Sequence, residues 1–330
     1  MPEPSLPSKR RGRLFRFGAA FVVLLAVAGY LVVQYVTGGT GAPGCRVVSG
    51  KDDGATYEFT PEQAANAATI TAVGTARDLP ERAVTIALAT ALQESALRNI
   101  DYGDRDSLGL FQQRPSQGWG TPKEIMDPAY AAEKFYEHLE KVPGYTRLPL
   151  TVAAQKVQRS GFPQAYAKHE PDAALLAAAL TGRSAATLTC DGRPDATRAA
   201  AGADAVRAAL VRDFGRDVLE PAGAEVGGAA TPPPAPDGGS ADGDTVTLPV
   251  TAGPDGASRD AEARGWQLAH WAVANASELR IKRVSYGGRE WTAGNTESRW
   301  RPVGTADTAD GKGSAGAGDG VGAVRITTAQ

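Results

Sequence analysis

ALQESALRNIDYGDRDSLGLFQQRPSQGWG, Ala91 to Gly120, is the stretch whose reading decides the fold. It opens as the end of a helix. Leu79-Pro80-Glu81 starts that helix, which runs to about Arg98. Val84, Leu88, Ala91, Leu92 and Ser95 recur at helical spacing and form an apolar face with a small polar end. Asn99 to Gly120 then turns rich in Asp, Gly and Ser, the composition of a loop. Working outward, Thr60-Pro61-Glu62-Gln63 reads as an N-cap followed by proline at the first helical position. Further helices are expected over Ala129–Lys141 after Asp127-Pro128, over Thr151–Arg159, over Pro171–Leu180 and over Pro194–Phe214. No convincing strand run interrupts residues 45–215, so this region is expected to be mostly α around one hydrophobic core.

Glu94 sits near the end of the decisive helix, with Ala91 and Ala87 one and two turns before it. An apolar, close-packed face disfavours a charged carboxylate. A carboxylic acid kept protonated can deliver a proton to a glycosidic oxygen. The bland alternative is an ordinary helical glutamate near a C-terminus. Asp101, Asp104 and Asp106 follow in the loop. One of them would serve as the second carboxylate of a hydrolase; the alternatives are capping and ion pairs with Arg98, Arg105 or Arg114, or a calcium loop whose full ligand spacing is absent. Phe111, Trp119 and the Gln112-Gln113 pair offer flat apolar area and paired donors and acceptors for sugar subsites. Trp119, between Gly118 and Gly120, is the best stacking candidate, against a role as core plug for the loop. His138, His169 and His270 are isolated and read as non-catalytic.

The N-terminus sets the expected compartment. Residues 1–16 form a basic tail with Lys9, Arg10, Arg11, Arg13 and Arg16. Phe17 to Val36 carries no charge, and a helix of that length spans about 30 Å, the thickness of a bilayer core. The expectation is a single-pass membrane protein, its span at 17–36 in the lipid bilayer, its N-terminus cytoplasmic and its bulk extracellular. A cleaved signal peptide and a buried helix are the alternatives. Residues 37–44 would be a short spacer. The two cysteines, Cys45 and Cys190, bracket the globular region; an even count outside the cell permits a disulfide, the alternative being two free thiols. Two Cys and three separated His give no metal-ligand cluster, so no metal and no cofactor are expected. A net charge of -2 with no basic stripe beyond the tail argues against nucleic acid as a partner.

Residues 216–260, with TPPPAPDGGSADGD at their heart, read as a disordered Pro/Gly/Ala linker. Within it, Thr245–Val250 is either a strand or nothing. Residues 261–330 regain density as a small α+β domain: an amphipathic helix over GWQLAHWAVANASELRI, a strand at Arg283–Tyr286, a turn at Gly287-Gly288, a partner strand at Arg289–Trp291 and a closing strand at Val324–Ile326. Trp266, Trp271, Trp291 and Trp300 lie here, either as a small aromatic core or as carbohydrate platforms.

Glu94-Ser95 followed by Ser107-Leu108-Gly109-Leu110-Phe111-Gln112 resembles the Glu-Ser…Gly-Leu-x-Gln signature of the lytic transglycosylase and goose-type lysozyme superfamily. LQES, YGDRDSLGLFQQRPSQGWGT and AAQKVQRSGFPQAYAKHE look like a subfamily of actinobacterial exported or membrane-anchored proteins, over residues 45–190. AHWAVANASELRIKRVSYGGREW more weakly resembles a small accessory domain of related actinobacterial wall proteins. The resemblance implies a lysozyme-like helical domain that cleaves peptidoglycan glycan strands between N-acetylmuramic acid and N-acetylglucosamine. Glu94 would be the general acid/base, and Ser107, Gly109 and Gln112 would line the cleft. The aromatic-asparagine pair of transglycosylases falls on the block Ala153-Ala154-Gln155-Lys156-Val157-Gln158, where the aromatic is missing and Gln155 or Gln158 stands for the amide. Tyr166 offers a sugar-facing hydroxyl or a packing role. Three readings follow: a transglycosylase or muramidase; a peptidoglycan-binding scaffold without catalysis; and a cell-envelope partner protein that docks through residues 261–330.

Overall fold

The computed structural model describes residues 44–190 (except 52 and 163), 202–219, 244–250, 258–294, 299–303 and 322–329. The first strands, β1 (Cys45–Val48) and β2 (Thr56–Phe59), pair antiparallel. Then come α1 (Pro61–Ala76), α2 (Glu81–Ser95), a short α3 (Pro122–Ile125), α4 (Pro128–Glu140), α5 (Leu150–Gln158) and α6 (Glu170–Leu180). Strand β3 (Leu188–Cys190) returns beside β1. The sheet order is β2-β1-β3, and Cys45 faces Cys190 across the β1–β3 ladder, where the two form a disulfide.

Local chemistry explains the helix starts. Thr60 and Gln63 form a reciprocal capping box at α1, with Pro61 in the first turn. The Asp127 carboxylate caps α4 by accepting from the Ala129 and Tyr130 amides. The end of α2 is pinned from outside. Ala96 and Leu97 take left-handed φ angles of 53° and 58°, uncommon for residues with a Cβ. Gln63 Nε2 donates to the Ala96 carbonyl and Asn66 Nδ2 to the Leu97 carbonyl, so α1 holds this turn in place.

After α6 come α7 (Gly202–Phe214), strand β4 (Thr245–Pro249), α8 (Ser258–Ala274) and strands β5 (Ile281–Tyr286), β6 (Arg289–Thr292), β7 (Arg301–Pro302) and β8 (Ala323–Thr328). The five strands form an antiparallel sheet in the order β4-β8-β5-β6-β7. Helix α8 does not stand apart from the earlier helices. Gly182, just past α6, lets them meet: a Cβ there would lie 1.7 Å from the Ala263 carbonyl. Gln267 Nε2 reaches Thr75 Oγ1 at 2.7 Å, and Trp300 Nε1 donates to the Leu188 carbonyl at 2.9 Å. The fully buried Asp213 carboxylate of α7 accepts from Thr69 of α1 and Trp271 of α8.

Several expectations change. The mostly α class is corrected: helices share the structure with two antiparallel sheets, of three and five strands. The missed sheet is built from strands of three or four residues, too short to show an alternating pattern. Its ladder joins residues about 145 positions apart. The four C-terminal tryptophans are buried in a core continuous with that of the helices. Three ordered pieces, the 3₁₀ turn Arg216–Leu219, β4 and the first residues of α8, lie inside the stretch expected to be a linker. Val246 and Leu248 are buried on alternate positions of β4. Linker positions 220–243 and 251–257 fall outside the described residues.

The N-terminal transmembrane helix and the single-pass, bulk-extracellular placement are also corrected. Among the described residues, no helix is long and apolar enough to cross a membrane, and the longest helices spend their apolar residues on the common core. The expected tail 1–16, span 17–36 and most of the spacer 37–44 lie outside the described residues.

Candidate active site

Glu94 is the penultimate residue of α2 and is half-buried. Its Oε1 accepts a 2.6 Å hydrogen bond from the hydroxyl of Tyr166. Tyr166 is fully buried and precedes the 3₁₀ turn Ala167–His169. Burial raises the phenol pKa first and the bond to Glu94 raises it further, while the Ser160 side chain acts in the opposite direction. The hydroxyl therefore stays protonated and donates, fixing one carboxylate oxygen. Glu94 forms no ion pair among the described residues. An acid held by a neutral donor can exchange its proton without breaking a salt bridge.

The loop after Glu94 is tied back to it. Ser95 Oγ donates to the Leu110 carbonyl at 2.8 Å. Leu108 and Gln113 exchange backbone hydrogen bonds, closing a tight turn between them. Gly109 in that turn has φ 73°, and a Cβ would lie 2.8 Å from the Ile125 carbonyl. Only glycine meets both demands. Ser107 is buried at the base of the loop. Gln112, at φ 47°, directs its Nε2 to the carbonyls of Gly109 and Tyr102, bracing the loop.

Helix α5 clamps both flanks. Gln155 Nε2 donates to the Ser160 carbonyl at 2.8 Å and Gln158 Nε2 to the Phe111 carbonyl at 2.7 Å. Residues three apart on a helix share a face. One turn thus links the segment leading to Tyr166 with the loop leading to Gln112. In the block where the resemblance implies an aromatic, Ala153, Ala154 and Val157 are buried in the core. Tyr166 supplies an aromatic at Glu94 from a different segment.

The loop aspartates part company. Asp106 accepts from Arg114 Nε and from the Ser116 amide, both at 2.8 Å, and these bonds hold its carboxyl well below the usual carboxylate range. Asp104 lies 4.0 Å from Arg105 at the exposed surface, and Asp101 is exposed. None of the three is hydrogen-bonded to the Glu94–Tyr166 pair.

Trp119 stands elsewhere. Its ring stacks on His138 with centroids 4.1 Å apart, and the Tyr130 hydroxyl donates to its carbonyl. These rings border a cavity of about 530 Å³ that Gln112, Arg114, Lys156 and Arg159 also line. Burial lowers the His138 pKa, and the charges of Lys141, Lys134 and Arg159 push the same way against the opposing charge of Glu137. Of the expected site residues, Glu94 and Tyr166 are brought together, Gln112 and Trp119 line the cavity, and Ser107, Gly109 and Gln155 do not line it; Gln155 is bonded to the Ser160 carbonyl. The sequence does not mark the cavity cations, because they come from separate segments, with only the Lys156–Arg159 pair close together. Among the described residues, no group of His, Cys, Asp and Glu is arranged to hold a metal ion.

A family model described as the VldE C-terminal domain matches residues 196–312, less than half of the chain. The matched stretch begins beyond Cys190 and takes in α7, β4, α8 and β5 to β7, so it contains none of the residues around Glu94. No curated protein matches the chain.

Proposed function

We propose that this protein cleaves the glycan strand of peptidoglycan between N-acetylmuramic acid and N-acetylglucosamine, with Glu94 as its single general acid/base. The observation that carries the reading is the Tyr166–Glu94 hydrogen bond at the end of α2, beside a loop with the sequence SLGLFQ. The chemistry needs one acid. Protonated Glu94 gives its proton to the glycosidic oxygen as the C1–O bond breaks. The resulting carboxylate then takes the proton of the muramoyl 6-hydroxyl as that oxygen bonds to C1. The product is a 1,6-anhydro sugar, and no water is consumed.

Two features favour this route over hydrolysis with a second carboxylate. Asp106 is committed to Arg114 and Ser116, and neither Asp101 nor Asp104 is bonded to the pair. Tyr166 supports Glu94 in the way a second group supports a catalytic one, by restricting its rotamers. Release of soluble glycan from purified peptidoglycan by the oxidised protein, and its loss in Glu94→Gln, tests the reading. Undiminished release by the variant would refute it.

A second reading, a protein that holds peptidoglycan without cutting it, is favoured by one observation. The block Ala153-Ala154-Gln155 lacks the aromatic of the resembled family, and the Gln155 amide is engaged by the Ser160 carbonyl. Equal glycan affinity of the parent and Glu94→Gln, with no product from either, would select it.

A further inference from the structure

Beside the turn that carries Gln112 lies a cavity of about 530 Å³ with a strongly one-sided charge. Arg114, Lys141, Lys156 and Arg159 line it, and no aspartate or glutamate does. Arg114 alone of the four has a carboxylate partner, Asp106; among the described residues Lys141, Lys156 and Arg159 form no ion pair. Glu137, outside the lining, also offsets part of the Lys141 charge; the cations still outnumber the acids around the cavity, and an anion entering it relieves their mutual repulsion.

The rest of the wall narrows the choice of anion. Gln112, Gln117 and Gln158 border the same space; the Nε2 groups of Gln112 and Gln158 are engaged by backbone carbonyls, so these two face a ligand chiefly with their acceptor oxygens, while the cations and Gln117 supply donors. Trp119 and His138 add a stacked aromatic wall. Walls that both donate and accept suit a ligand that does the same, such as a peptide. A phosphodiester group presents acceptors only and leaves the glutamine oxygens without a donor.

We propose that this cavity is a subsite for a short acidic peptide branching from the glycan, whose carboxylates pair with Lys141, Lys156 and Arg159 while its amides meet the glutamines. The assignment rests on the glycan-cleaving reading of Glu94 and gives that reading a substrate preference. Gln158 links the two regions, since it lines the cavity while its Nε2 holds the Phe111 carbonyl of the turn beside Glu94. A strand seated at Glu94 then directs its side branch across that turn into the basic space.

The test is a binding comparison with the full oxidised chain carrying Glu94→Gln, so that no strand is cut. Two ligands are used: glycan strands bearing peptides with free carboxylates, and the same strands stripped of peptide. The Lys141→Glu/Lys156→Glu pair is expected to weaken binding of the peptide-bearing strands by about tenfold or more. It should leave binding of the stripped strands unchanged, and Lys51→Glu, at an exposed turn, should change neither. The milder Lys156→Gln should shift affinity the same way by a smaller factor, which answers the question should the double variant misfold. Equal weakening for both strand types, or none for either, overturns the proposal. So does displacement by polyphosphate at concentrations where the acidic peptide alone does not compete. Cleavage activity separates the two claims. Cutting by the parent protein without a preference for peptide-bearing strands sinks the subsite alone. A charge-dependent preference in a parent that never cuts sinks only the role of Glu94.

Discussion

Replacing Asp213 with alanine removes one carboxylate and strands three donors. Trp271 Nε1 loses its acceptor at 2.8 Å, Thr69 Oγ1 at 3.1 Å and Arg212 Nε at 2.7 Å. The three losses are unequal. Trp271 and Thr69 are buried, and an unsatisfied buried donor costs about 1–3 kcal/mol. Thr69 recovers part of this by rotating its hydroxyl toward a helix carbonyl. The Arg212 side chain is 47% exposed, so water replaces its partner and its loss counts for little. Adding the space left by the carboxylate, the variant should lose about 3–5 kcal/mol. For a chain of this size that is a drop of about 4–7 °C in melting temperature. Asp213→Asn keeps an acceptor for Trp271 and should lose roughly half as much. Thermal and urea unfolding, followed by tryptophan fluorescence and far-UV circular dichroism, measure both variants. Because α1, α7 and α8 meet at this carboxylate, the two probes should report one transition. A loss under about 1 kcal/mol, or separate transitions for the two probes, would refute the argument that the C-terminal sheet and helix share a core with the N-terminal helices.

The Cys45–Cys190 bond closes a separation of 145 residues, so Cys45→Ser/Cys190→Ser should lose about 5 kcal/mol on the chain-entropy model; a melting temperature unchanged by the double substitution or by reductant would contradict this. His270 is fully buried with Nδ1 against the Ala179 carbonyl, and burial lowers its pKa from 6.5 to about 4. Its folded pKa lies below the unfolded one, so its contribution is complete above about pH 6.5 and fades as pH falls toward 4, by about 3 kcal/mol at most. Urea midpoints at pH 7.5 and 4.5 should show a smaller acid loss in His270→Gln, and an identical slope would rule this residue out. Tyr166→Phe keeps the buried ring and deletes the hydroxyl that holds Glu94. Its cleavage rate should fall about 10- to 100-fold with stability changed by no more than about 2 kcal/mol, whereas a rate equal to the parent would show that the bond does not position the acid.

Local signals were easiest to read in the sequence. Thr60-Pro61 with Gln63 marks the start of α1, and the structure has that capping box. Gly287-Gly288 marks a two-residue turn, and β5 and β6 pair across it with Tyr286 opposite Arg289. Glu94 and Gly109 likewise stand out from their immediate neighbours. What stayed hidden depends on distant partners. Cys45–Val48 is only four residues long and becomes a strand because Leu188–Cys190 and Thr56–Phe59 flank it. The C-terminal helix looked like the start of a separate domain because its amphipathic pattern does not say which surface it covers. Gly182 and Asp213, which join it to α6 and α7, look like an ordinary turn glycine and a helical acid in the sequence. The cavity cations are legible only after α4, α5 and the Arg114 segment have been brought together.

The most direct test of the central claim is the chemistry of the cut end. Peptidoglycan is incubated with the oxidised protein or with Glu94→Gln, and the soluble fragments are resolved by mass. The account predicts 1,6-anhydro muramoyl ends from the parent protein and none from the variant. Reducing muramoyl ends, or anhydro ends that persist without the Glu94 carboxylate, would contradict it.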